Sequence, residues 1–117
     1  VVNRKRPDLF VSIHVNYVPN EDAKGFEIWI RKGDRNCRRL GNLIRKELAA
    51  GFLTPDRGLK DYKAMYILRN TSCPAVLVEL GFISNPTERG WLADPTYRQK
   101  YAEAVARGVK KYLASGK

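Results

Sequence analysis

The stretch Pro74-Ala75-Val76-Leu77-Val78-Glu79-Leu80-Gly81-Phe82 decides the fold of this chain, because it is an almost unbroken apolar run with one carboxylate near its end. A second run, Asp8-Leu9-Phe10-Val11-Ser12-Ile13-His14-Val15-Asn16, has the same pattern and carries the only histidine. Such runs predict strands buried on both faces, as in a parallel sheet covered by helices. Open α/β folds place their ligands at the carboxyl edge of the sheet. We therefore expect His14 and Glu79 to meet there, as a metal ligand and a catalytic acid or base.

The rest of the chain supplies the other layers of an α/β domain. Residues 25–30 alternate between apolar and polar, which predicts a half-buried strand near a sheet edge. Residues 54–58 are rich in turn formers and predict a connection, whereas 62–68 predict a short strand or an irregular crossing segment. The fold class that follows is a mostly parallel, twisted sheet flanked by helices on both faces.

Three helices are predicted from their start signals. Asp34 is the expected N-cap of a helix that runs to about residue 50. Asn85-Pro86 predicts the start of a second helix, with Glu88 placed for a capping box. Asp94-Pro95 predicts a third, whose apolar stripe faces the core.

Composition limits the class of protein. A chain of 117 residues with 44% apolar content suits one domain with one core. No run approaches the ~18 apolar residues of a membrane span. The formal charge of +10 favours polyanionic partners, and a basic nucleic-acid-binding module is one alternative that it supports. That alternative needs a recognition helix or a basic aromatic face, and neither is evident, so no nucleic-acid partner is expected. Two cysteines are too few for a disulfide scaffold, and we expect both to be free thiols.

Several motifs in one order carry a family resemblance. They are Ser12-Ile13-His14-Val15-Asn16, Gly25-Phe26-Glu27, Arg57-Gly58-Leu59-Lys60, Leu68-Arg69, and residues 74–86, which end in Gly81-Phe82-Ile83-Ser84-Asn85-Pro86. With these motifs the chain resembles zinc-dependent N-acetylmuramoyl-L-alanine amidases of the amidase-3 type, which are cell-wall hydrolases. The resemblance extends over essentially the whole chain.

The resemblance implies a Zn²⁺ cofactor and specific roles. In that family two histidines and one glutamate hold zinc, and a further glutamate acts on the attacking water. His14 matches the second histidine and Glu79 matches the catalytic glutamate. The motifs of the other two ligands do not occur in this sequence. We therefore expect residues 1–117 to be the C-terminal portion of a single catalytic domain without its N-terminal strands and helices, active only when the upstream ligands are present.

Simpler structural roles stay open for each of these residues. His14 alone could be a hydrogen-bonded core residue, and Glu79 could form a buried salt bridge with Arg57 or Arg69. Glu27 could support the region of the metal site or simply occupy an edge strand. Four residues are candidates for substrate binding, with ordinary surface or loop roles as the alternative: Asn16, Arg57, Lys60 and Arg69.

The function that the resemblance implies is hydrolysis of the amide between N-acetylmuramic acid and L-alanine in peptidoglycan. The implied location is the bacterial cell envelope, periplasmic or secreted, for a bacterial or phage-encoded protein. The alternative is a truncated or degenerate amidase domain that binds the cell wall without catalysis. A missing upstream segment or another chain is a further expected contact, because the uncovered sheet edge and apolar surface would need a partner.

Overall fold

The computed structural model describes residues 7–52, 54–62 and 71–115. Within these ranges the strands are β1 (Phe10–Asn16), β2 (Phe26–Arg31), β3 (Asp56–Tyr62) and β4 (Ala75–Phe82). The helices are α1 (Arg35–Gly51), α2 (Pro86–Ala93) and α3 (Pro95–Ala114). The segment predicted at 62–68 lies outside the described residues except for Tyr62, which ends β3, and Arg69 lies outside them too.

The strands form one mixed sheet in the order β1-β4-β2-β3. The outer pairs β1–β4 and β2–β3 are parallel, and the central pair β4–β2 is antiparallel. Parallel pairs therefore outnumber antiparallel ones, which confirms the predicted α/β class. Strand β2 lies next to the edge strand β3, which fits its predicted place near an edge, but the prediction that it is half-buried is wrong, because Phe26, Glu27, Ile28 and Ile30 are all buried.

The strand β3 occupies part of the segment that was predicted to be a turn. Its turn-forming residues build a bulge instead. Gly58 has φ +83°, and its N–H donates to Asp56 Oδ1 at 2.9 Å. Between Phe26 and Ile28 the partner strand advances from Asp56 to Leu59, so β3 gains one residue there. The turn-like contact between Asp56 and Gly58 therefore lies within a strand that is paired with β2.

The helix N-caps are formed as predicted, but one expected side-chain contact is not. Asp34 Oδ1 accepts from Cys37 N–H at 2.9 Å, and Asn85 Oδ1 accepts from Glu88 N–H at 3.1 Å. Asp94 caps α3 in the same way. The capping-box role of Glu88 is wrong, because its carboxyl accepts from other segments of the chain. None of the helices described here is long and apolar enough to cross a bilayer.

One face of the sheet forms the main core. Phe26, Ile28 and Ile30 of β2 pack there with the apolar stripes of α1 and α3. The two helices approach closely at Gly108, where a Cβ would lie 2.6 Å from the Cα of Ile44. The opposite face carries a smaller apolar cluster made of strand residues: Phe10, Trp29, Ala75 and Leu77. That second face also carries the polar residues of the candidate site.

Candidate active site

Three ionisable side chains lie side by side on neighbouring strands. In the sheet register His14 of β1 pairs with Glu79 of β4, and Glu79 pairs with Glu27 of β2. Paired residues share a face, and these alternate with the core-facing positions Val78 and Ile28. The predicted meeting of His14 and Glu79 is therefore present, on the sheet face opposite the main core.

His14, Glu79 and Glu27 thus form a row across three strands, and Glu79 is its unusual member. Burial raises the pKa of its carboxyl, the neighbouring His14 lowers it, and the charge of Glu27 raises it, with a net shift upward. Its Oε2 is buried and has no hydrogen-bond partner among the described residues. A buried carboxyl oxygen without a partner is costly to a fold. Its position suits a group that exchanges protons with a bound reactant.

His14 presents an exposed imidazole beside this carboxyl. Its Nε2 lies 2.7 Å from Ser12 Oγ, two residues earlier on the same strand. The other ring nitrogen has no partner among the described residues, so the ring is free to bind a further group. This arrangement does not match the alternative of a hydrogen-bonded core histidine, because the side chain is exposed.

The row fits a zinc site only in part. A catalytic zinc commonly has three protein ligands and one open position. Among the residues that the structure describes, no cluster of three or more His, Cys, Asp or Glu side chains is placed to hold a metal. The chain supplies one imidazole and one unpartnered carboxyl at this place, which is the chemistry of one ligand and one acid or base.

Arg57 extends the row onto β3, the strand next to β2. Its Nε donates to Glu27 Oε1 at 2.8 Å, and its guanidinium carbon lies 5.0 Å from the ring centroid of Phe82. The Glu27 residue is 4% exposed, whereas the Arg57 side chain is 39% exposed. The alternative in which Arg57 neutralises Glu79 is therefore wrong, because Arg57 forms its ion pair with Glu27.

The other residues predicted to bind substrate have mixed placements. Asn16 ends β1, and its Oδ1 accepts from the N–H of Tyr17 at 2.9 Å, which shapes the loop after His14. Lys60 pairs with Trp29 in the register, so it lies on the same face, beyond the bulge that follows Arg57. Arg69 lies outside the described residues. Asn16 and Lys60 thus border the row, and their contact with a substrate stays a prediction.

Glu88 has a structural role in joining separate segments of the chain, and not the capping-box role predicted from the sequence. It is 1% exposed, and its carboxyl accepts from Gly25 N–H and from Phe82 N–H, both at 2.8 Å. The hydroxyl of Thr54 also donates to it. Gly81 permits this approach, since a Cβ there would lie 3.0 Å from Glu88 Oε1. An acidic residue three positions after an Asn-Pro start also indicates a capping box, so the pattern alone favoured the local contact.

A groove of about 670 Å³ lies beyond the carboxyl ends of β1 and β4. Its lining includes Tyr17, Glu21, Ser84 and Arg89. The groove begins at Tyr17, the residue after Asn16, and neither His14 nor Glu79 lines it.

Comparison with known proteins identifies the family to which this chain belongs. The amidase-3 family model, described as N-acetylmuramoyl-L-alanine amidase, matches residues 1–111. The germination-specific N-acetylmuramoyl-L-alanine amidase of Bacillus subtilis (strain 168) is 28% identical over 113 residues, covering 97% of this chain and 48% of the relative. The chain spans about half the length of the first curated relatives that it matches.

Solved structures agree with the sequence comparison. The CwlD amidase of Clostridioides difficile, solved in complex with the GerS lipoprotein, superposes with a TM-score of 0.93 at 32% identity, covering 97% of this chain and 58% of that one. The N-acetylmuramoyl-L-alanine amidase of Clostridium difficile 630 gives a TM-score of 0.93 at 30% identity, covering 99% and 63%. The mixed sheet and its helices are thus similar to parts of amidase structures.

Proposed function

The chain belongs to the N-acetylmuramoyl-L-alanine amidase family, and we propose that its protein hydrolyses the amide between the lactyl group of N-acetylmuramic acid and L-alanine in peptidoglycan. The observation that carries this proposal is the pairing of His14 with Glu79, whose Oε2 is buried and unpartnered among the described residues. Amide hydrolysis needs a group that removes a proton from water and returns one to the leaving nitrogen.

Glu79 has the properties of that proton-transfer group. Its carboxyl is held on a central strand of the sheet, so its position is set by backbone pairing on both sides. Burial and the charge of Glu27 raise its pKa against the opposing effect of His14, and a higher pKa makes the carboxylate a stronger base toward the attacking water. In the proposed reaction Glu79 accepts the proton of the attacking water and then donates it to the nitrogen of L-alanine as the amide breaks.

The proposed cofactor is Zn²⁺, with His14 as one ligand and further ligands in a preceding segment of the protein. Zinc, when bound, polarises the scissile carbonyl and lowers the pKa of water. The exposed imidazole of His14 is a suitable ligand type, and Ser12 Oγ beside its Nε2 helps to fix the ring. Glu79 is assigned as acid and base and not as a ligand.

The proposed site of action is the cell envelope of a bacterium, reached by a bacterial or phage-encoded enzyme. Cell-wall amidases among the relatives support this location. A formal charge of +10 suits a polymer rich in carboxylates. We propose that Asn16 and Lys60 border the bound polymer, because both lie next to the row.

The test compares Glu79→Gln with the wild type in the complete protein. We expect turnover of purified peptidoglycan, measured as newly released L-alanine amino termini, to fall about 10²- to 10⁴-fold. Bound zinc, measured by elemental analysis, should stay at the wild-type level. Glu103→Gln is the matched control, because Glu103 is an exposed glutamate of α3, and it should leave turnover unchanged.

Two results would contradict the proposal. A Glu79→Gln variant with near wild-type turnover would remove this carboxyl from the mechanism. A wild-type protein that binds peptidoglycan but releases no amino termini would favour the alternative of a wall-binding domain without catalysis.

A further inference from the structure

We infer that Arg57 anchors a carboxylate on the peptide side of the cleaved amide, at the second residue of that peptide, and so sets the substrate preference of the enzyme. The inference rests on the proposed function and adds a specificity-determining residue to it. It is carried by three observations: the position of Arg57 in the row, the orientation of its guanidinium, and its exposure.

The position follows from the sheet. Arg57 lies on β3, next to Glu27 of β2, and Glu27 pairs with Glu79 of β4. All three side chains therefore share the sheet face that is opposite the main core. Strands are spaced ~4.8 Å apart, so the backbones of Arg57 and Glu79 are about 10 Å apart.

The orientation leaves the Nη1 and Nη2 end of the guanidinium available to a ligand. Nε is used by Glu27 at 2.8 Å, and Nη1 has one long contact of 3.4 Å with the carbonyl of Lys24. Nη2 has no partner among the described residues. The ring of Phe82, 5.0 Å from the guanidinium carbon, supports the plane from one side. A fixed planar fork with free N–H groups is the geometry that binds a carboxylate through two bonds.

The spacing selects the position of that carboxylate in the substrate. A peptide advances ~3.3–3.6 Å per residue, so a group on the second residue lies about 7 Å from the scissile nitrogen. Glu27 and Arg57 lie on the next two strands of the sheet after that of Glu79, so a carboxylate bound at Arg57 beside Glu27 lies about 5–10 Å across the sheet from Glu79. A carboxylate one residue nearer would be too close to the row.

A merely structural role for Arg57 makes a different prediction. Glu27 is 4% exposed, and a buried carboxylate needs a compensating charge. If neutralising Glu27 were the only role of Arg57, removing both charges with Glu27→Gln and Arg57→Gln would restore activity on every substrate alike. If Arg57 anchors the substrate, the double variant still does not prefer a carboxylate at the second residue of the peptide.

The experiment uses the complete protein and two synthetic muramoyl dipeptides that differ only at the second residue, which carries either a free α-carboxylate or a carboxamide. We expect the wild type to favour the carboxylate by about ten- to a hundredfold in kcat/KM, the range of a charged hydrogen-bonded contact. Arg57→Gln should bring the ratio to within about twofold, mainly through a higher KM for the carboxylate substrate. The double variant should show the same ratio as Arg57→Gln.

The matched control is Arg107→Gln, because Arg107 also pairs with a glutamate, Glu47, but on the exposed surface of the helices. It should keep the wild-type ratio. Equilibrium binding of both dipeptides to Glu79→Gln protein, with and without Arg57→Gln, gives the same comparison without turnover. If the wild type cleaves neither dipeptide, the proposed function fails, and the binding ratio still decides the role of Arg57.

The inference is overturned by either of two results. One is a wild-type ratio near one in both cleavage and binding. The other is recovery of the wild-type rate on both dipeptides in the double variant. A binding ratio that depends on Arg57 supports it.

Discussion

At the scale of single residues, the chain places two carboxyls of one sheet face in different situations. Glu27 is compensated by Arg57, whereas Glu79 Oε2 has no partner among the described residues. An uncompensated buried carboxyl lowers stability. The difference between the two neighbouring glutamates supports the proposal that Glu79 transfers protons, whereas Glu27 is held in place by its ion pair.

The cysteines give a prediction at the same scale. Cys37 is buried on α1, and burial raises the pKa of its thiol, although the N–H of Ala75 donates to its sulfur and opposes this shift. Cys73 is half-buried in the segment before β4. Since the thiolate is the reactive form, we expect Cys73 to react first with a thiol reagent at pH 8 and Cys37 to react only after unfolding.

Thiol titration of the unreduced protein checks this expectation. The denatured chain should show two reactive groups from residues 1–117, and a Cys73→Ser variant should lose the fast native phase. A fast native phase that survived Cys73→Ser would place Cys37 at the surface, contrary to the structure.

At the scale of elements, the contact between α1 and α3 depends on one glycine. A Cβ at position 108 would lie 2.6 Å from Ile44 Cα and 2.8 Å from Ile44 N, both backbone atoms. Alanine has the higher helix propensity, by about 1 kcal/mol. The backbone clash outweighs that gain, so we expect Gly108→Ala to lower the free energy of unfolding by about 1–3 kcal/mol.

Gly90→Ala is the matched control for that substitution. Gly90 lies inside α2, is exposed, and a Cβ there would meet nothing within 4 Å. Here the propensity gain acts alone, so Gly90→Ala should be neutral or stabilising by up to about 1 kcal/mol. Denaturant unfolding measures the change in the free energy of unfolding for each variant. Equal changes for the two substitutions would contradict the close contact between α1 and α3.

The elements also show what the sequence could and could not predict. The caps at Asp34, Asn85 and Asp94 were predictable, because a capping side chain acts on an N–H two or three residues later. Strand β3 was not, because Asp56 and Gly58, with Pro55 just before them, are turn formers. Their strand conformation depends on pairing with β2, which is distant in sequence. The burial of both faces of β2 was not predictable for the same reason.

At the scale of the whole molecule, the site was predictable in part. The apolar runs around His14 and Glu79 indicated two strands, and parallel pairing of those strands brings the residues together. The ion pair of Glu27 with Arg57 and the contacts of Glu88 join segments far apart in the chain. No local pattern encodes such contacts, because they form only when the sheet and helices have assembled.

Glu88 gives the prediction that belongs to the assembled fold. Its carboxyl joins the loop before β2 at Gly25, the segment before β3 at Thr54, and the end of β4 at Phe82. Glu88→Ala would leave two buried N–H groups without acceptors, and each costs ~1–3 kcal/mol. We expect the free energy of unfolding to fall by at least ~2 kcal/mol, whereas Glu103→Ala on exposed α3 should change it by less than ~0.5 kcal/mol. Glu88→Gln keeps an acceptor oxygen at the site and should lie between the two, and equal stabilities of Glu88→Ala and Glu103→Ala in urea unfolding would show that these three segments are joined by other contacts.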